Sequence, residues 1–103
     1  MALPEPLAVT LRVAEAFERL HLRYLIGGSL ASSLHGIPRS TNDADLVAEI
    51  PLQSVSNLVR DLESEFDADP AMILDAIRHG SSFNLIHLAT MFKVDVFVLR
   101  REP

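Results

Sequence analysis

The chain contains no cysteine among its 103 residues. That excludes disulfide scaffolds, thiolate zinc sites and cysteine nucleophiles together, and makes the cytoplasm the expected compartment. No apolar run approaches the ~18 residues of a membrane helix, and the N-terminus lacks the basic-then-apolar order of a signal peptide. Internal repeats and low-complexity stretches are also missing. Positive charge is in deficit, with a formal net charge of −5 at pH 7. This argues against a surface that binds nucleic acid over its whole extent, while leaving room for a local basic pocket. What is present is a folding composition, 49% apolar and 22% charged, in a length that suits one domain spanning residues 1–103. The ending Arg100-Arg101-Glu102-Pro103, directly after an apolar run, equally suits the N-terminal part of a longer protein.

Apolar periodicity organises the chain. After a lead-in with Pro4 and Pro6, Val9, Val13, Phe17 and Leu20 share one face of a helix over Leu7–Leu20. Arg12, Glu15, Glu18 and Arg19 fall on its other side, with Glu15 and Arg19 as an i,i+4 pair. The run Arg23–Ile26 reads as a buried strand stopped by Gly27-Gly28, and Ser29 opens a short helix that closes at Gly36. Residues 37–42 read as a loop, and Asp43–Ile50 carries a second strand. Leu52, Val55, Leu58, Val59, Leu62 and Phe66 recur at helical spacing after Pro51. Asp69-Pro70 caps a further helix that Gly80 ends. Phe83–Leu88 and Lys93–Leu99 are the third and fourth strands, close enough in sequence to pair antiparallel. The expected fold is α/β (α+β): a mixed sheet of about four strands flanked by helices.

Three places carry residues able to do chemistry. Gly27-Gly28-Ser29 ends a strand and enters a helix, so exposed backbone N–H groups, the helix N-terminus and a hydroxyl could receive phosphate. The same residues make an ordinary tight turn with Ser29 as N-cap. There is no Gly-Lys-Ser/Thr and no third glycine, so neither a Walker loop nor a dinucleotide fingerprint is formed. In Asp43-Ala44-Asp45 the two aspartates point to one side of an extended segment with Cα atoms ~6.5–7 Å apart, where they could share a hard cation or simply be solvated. Asp95 interrupts Lys93-Val94-Asp95-Val96-Phe97-Val98, which is costly if its face is buried and unremarkable if that face is open. Lys93, on the same side, is either its partner or a neighbour. Arg39, four residues before the aspartate pair, could grip phosphate in a fork or pair with an aspartate. His21, His35, His79 and His87 show no zinc-ligand spacing and are assigned structural roles.

In combination, Gly27-Gly28-Ser29, then thirteen residues, then Asp43-Ala44-Asp45-Leu46, and a third aspartate on a later strand resemble the nucleotidyltransferase superfamily of DNA polymerase beta-like fold. With His35-Gly36, Arg39 and Thr41, the stretch looks most like its small bacterial and archaeal members, including abortive-infection and toxin–antitoxin types. The likeness spans Tyr24 to Val98. It implies a metal-dependent enzyme that transfers NMP from NTP to an acceptor hydroxyl on RNA, protein or a small molecule, releasing pyrophosphate. By the same resemblance Asp43, Asp45 and Asp95 are catalytic and hold two Mg²⁺ ions, Mn²⁺ being an alternative, while Gly27, Gly28, Ser29 and Arg39 bind the nucleotide. A second reading, of another class, is a catalytically silent nucleotide-binding or interaction domain such as one component of a toxin–antitoxin pair. A sheet edge or helix-docking surface would suit a homodimer or a partner protein. No membrane association is expected.

Overall fold

A computed structural model describes residues 5–26 and 43–99. Within them the chain runs α1 (Glu5–Arg19), β1 (Tyr24–Ile26), β2 (Asp43–Ala48), a 3₁₀ turn (Leu52–Ser54), α2 (Val55–Leu62), β3 (Phe66–Asp67), α3 (Pro70–His79), β4 (Ser82–His87) and β5 (Lys93–Val98). The five strands form one mixed sheet in the order β1-β2-β5-β4-β3. Only β2 and β5 pair parallel; β1/β2, β5/β4 and β4/β3 are antiparallel. The fold is α+β with helices on the sheet, as the sequence pattern implies. No helix among the described residues is long and apolar enough to cross a membrane.

Alternation in the two central strands sets the layers, because successive side chains in a strand point to opposite faces. Ala44, Leu46 and Ala48 of β2 and Val94, Val96 and Val98 of β5 are buried. They join one core with Val13 and Phe17 of α1, Leu58 and Leu62 of α2, Ile73 of α3, and Phe83 and Leu85 of β4. The small Ala44 and Ala48 on the helix side of β2 lie in the same core as the large Phe17 of α1.

Local signals decide the ends of α3. Asp69 accepts the Ala71 N–H at 2.9 Å, Pro70 stands in the first turn, and Gly80 closes the helix with φ 63°. The long amphipathic spacing after Pro51 is only partly helical. It begins as the 3₁₀ turn, and α2 stops at Leu62, so Phe66 belongs to a short fifth strand instead. Phe66 pairs with His87 of β4, and the Glu65 carbonyl accepts the Leu88 N–H at 2.9 Å. Sheet pairing therefore captures a residue that helical spacing alone would assign to the preceding helix.

Candidate functional site

The strand pairing brings two distant aspartates side by side. Asp45 of β2 and Asp95 of β5 are register partners on adjacent parallel strands. Adjacent strands lie about 4.8 Å apart, so the two carboxylates start from neighbouring positions. Asn84 of β4 is the partner of Asp95 on its other side, which extends a polar row across three strands. This row belongs to the face opposite the helices, since Ala44, Leu46, Val94 and Val96 fill the helix-side face. Among the described residues no helix covers the open face.

Asp45 is half-buried, and the Asp95 side chain keeps 21% of its exposure. Lys93 places Nζ 4.0 Å from Asp95 Oδ1, so it is a partner rather than only a neighbour. Asp95 is thus not a buried, uncompensated charge in an apolar strand: alternation puts it on the open side beside a cation. Asp43 opens β2 at the register position opposite Lys93. Its side chain, together with Gly27, Gly28, Ser29, Arg39, Thr41 and the helix expected from Ser29 to His35, lies outside the described residues. Alternation along β5 already puts Lys93 on the face of Asp95, whereas Asn84 is a neighbour that spacing along the chain does not reveal, because cross-strand register alone selects it.

One step along the strands from the polar row stands an apolar one. Leu25, Val47, Phe97 and Ser82 are successive register partners across β1, β2, β5 and β4. Leu25 is 70% exposed and Phe97 47%. The open face therefore combines a carboxylate pair, an amide and a cation with an adjacent exposed apolar strip.

The donor set suits a hard divalent cation. Two carboxylates on neighbouring strands offer oxygen ligands, and Mg²⁺ tolerates one or two carboxylates with water filling the remaining positions. Among the described residues, which do not include the Asp43 side chain, no group of three or more His, Asp or Glu side chains stands together as a metal site. Of the four histidines, His35 lies outside the described residues, and His79 and His87 make local contacts. His79 Nδ1 meets the Asp75 carbonyl oxygen at 3.0 Å near the end of α3, and His87 Nδ1 meets Thr90 Oγ1 at 2.9 Å while its ring stands edge-on to Phe66. A cavity of about 430 Å³ lies elsewhere, at the far ends of β2 and β5 between Arg23, Glu49, Ile50 and Leu99. Glu49 is four residues beyond Asp45, roughly 13 Å along an extended strand, so this cavity and the carboxylate pair are separate features.

No protein-family model, curated protein or solved structure matches the chain.

Proposed function

We propose that the chain is a metal-dependent nucleotidyltransferase domain that moves NMP from NTP to an acceptor hydroxyl with release of pyrophosphate. The observation that carries this reading is the register pairing of Asp45 with Asp95 on the face opposite the described helices. Nucleotidyl transfer is an in-line displacement at the α-phosphorus, and negative charge develops on both the entering and departing oxygens. Divalent ions, when bound, would neutralise that charge and favour deprotonation of the acceptor. Asp45, with Asp43 at the start of the same strand, would hold the cation side of the reacting phosphate. Asp95, on the next strand, would orient the acceptor hydroxyl and accept its proton. Gly27, Gly28 and Ser29 would donate backbone N–H and hydroxyl hydrogen bonds to the β- and γ-phosphates, and Arg39 would add a guanidinium fork.

Thermal unfolding with Mg²⁺ and each NTP tests this reading. Nucleotide should raise the unfolding temperature only when Mg²⁺ is present, and Asp45→Asn or Asp95→Asn should abolish the rise. An equal rise in both variants would remove the metal site. Labelled NTP incubated with RNA, protein extract or small hydroxyl compounds then separates the acceptor classes. Metal-dependent nucleotide binding without transfer to any of them would favour the silent nucleotide-binding domain.

A further inference from the structure

We propose that the cavity at the far ends of β2 and β5 binds a small zwitterion with an apolar body, a free hydrophobic amino acid. This site is independent of the nucleotidyltransferase reading, because the cavity and the carboxylate pair are separate features. Its lining is of two kinds. Leu22 and Ile50, both buried, and the half-buried Ile77 of α3 give the cavity an apolar surface continuous with the core. Leu52 and Leu99 line it too, yet each keeps 51% of its exposure. An apolar group seated there would remove that surface from water. The volume of about 430 Å³ falls in the range of small-molecule sites.

Two opposite charges complete the lining without engaging each other. Arg23 and Glu49 continue the β1–β2 ladder one step beyond the Tyr24–Ala48 pair, and the Glu49 N–H donates to the Arg23 carbonyl at 3.0 Å. Cross-strand neighbours point to one face with Cβ atoms about 5 Å apart, a spacing that suits a salt bridge. Yet neither side chain forms a hydrogen bond or an ion pair among the described residues, although both line the cavity. A guanidinium receives a carboxylate through paired hydrogen bonds, and a carboxylate receives an ammonium group. A ligand with a carboxylate alone would meet repulsion from Glu49, and one with an amine alone would meet it from Arg23. A molecule that carries both groups on one carbon satisfies both residues, and its side chain covers Leu52 and Leu99. His21 also lines the cavity, where an imidazole N–H can add a donor to the bound carboxylate.

Titration of the whole chain with L-phenylalanine and with L-leucine, followed by amide NMR, tests the site. Shifts should centre on Leu22, Arg23, Glu49, Leu52 and Leu99 and leave Asp45 and Asp95 unmoved. Hydrocinnamate lacks the amine of phenylalanine, phenethylamine lacks the carboxylate, and glycine lacks the apolar body. Each should bind at least about threefold more weakly than phenylalanine, the scale of losing one partner in a partly solvated site. Arg23→Gln and Glu49→Gln should weaken phenylalanine binding about three- to tenfold. Arg60→Gln, which removes an exposed cation of α2, should leave it unchanged. The analogues separate recognition from damage to the fold: Arg23→Gln should bind phenylalanine and phenethylamine alike, and Glu49→Gln should bind phenylalanine and hydrocinnamate alike. Absence of saturable shifts at the cavity with both amino acids would overturn the inference. So would hydrocinnamate or phenethylamine binding the wild type as tightly as phenylalanine does, or unchanged phenylalanine affinity in Arg23→Gln and Glu49→Gln. Each of these results leaves the nucleotidyltransferase reading untouched.

Discussion

At the end of α1 a histidine occupies the backbone conformation that glycine adopts most easily. His21 has φ 58°, and around it the His21 N–H donates to the Glu18 carbonyl while the Leu22 N–H donates to that of Phe17. These bonds form a left-handed helix cap, which a residue with a Cβ adopts at a cost. His21→Gly should stabilise the protein by about 0.5–1 kcal/mol, read from urea unfolding, because relief of that strain exceeds the added freedom of the unfolded chain. Tyr24 gives a second single-residue test. Burial pushes its phenol above its ordinary range, and the charge and hydrogen bond of Glu18 push it further. A raised folded-state value means that the unfolded chain loses this proton first as pH increases. The stability linked to Tyr24 is therefore complete below about pH 10 and is lost as pH rises through the folded-state value. Tyr24 is the only tyrosine, so ultraviolet titration reads it alone. The phenolate should appear at higher pH in the folded protein than in urea, and Tyr24→Phe should make alkaline destabilisation less steep. Coincident titration curves would contradict this.

Between elements, the main polar connection joins α1 to α2. Arg12 hydrogen-bonds Glu65 and Asp61, Arg19 Nη1 reaches Asp61 Oδ1 at 2.6 Å, and Arg19 also pairs with Glu15 one helical turn back. Burial opposes the charge on Arg12, but hydrogen bonds and attraction from Glu65 and Asp61 outweigh it and hold the guanidinium above its ordinary value. The Arg12 Nη1 atom is buried without a hydrogen-bond partner among the described residues, and Glu15 Oε1 lies 3.8 Å away. Arg12→Ala should cost about 1–3 kcal/mol in urea unfolding, since it strips hydrogen bonds from partly buried acids. The more exposed Arg19→Ala should cost under about 1 kcal/mol. Helical spacing places Arg12 on the polar side of α1 but does not show that this side meets α2. The same boundary governs the rest of the fold. Asp69, Pro70 and Gly80 announce α3 because caps act within a few residues, and the alternation around Asp95 gives its face for the same reason. Phe66 defeats the local pattern, since its strand exists only where β4 is present to pair with it. The parallel pairing of β2 with β5, which brings Asp45 to Asp95, depends on partner choice across 50 positions of chain and is absent from any local signal. Spacing could nominate the aspartates and set Lys93 on the face of Asp95, but only register could put Asp45 and Asn84 beside it.

For the molecule as a whole, the mixed sheet separates two tasks. Its helix-covered face holds the core, so substitutions of Val94 or Val96 act on stability. Its other face carries charge at little cost to that core, and changes at Asp45, Asp95 or Lys93 should alter binding more than folding. A net charge of −5 favours cations near the surface in general, so metal binding alone is a weak criterion and its location is the informative one. Competing acids are available on the other layer at Asp61 and Glu65, and on α3 at Asp75. The most direct measurement is therefore residue-by-residue broadening of amide NMR signals by substoichiometric Mn²⁺. Broadening should centre on Asp45, Asp95 and the adjoining Asn84, and should be lost in Asp45→Asn and Asp95→Asn. Broadening spread over the α1–α2 acids and Asp75, unchanged by those substitutions, would contradict it.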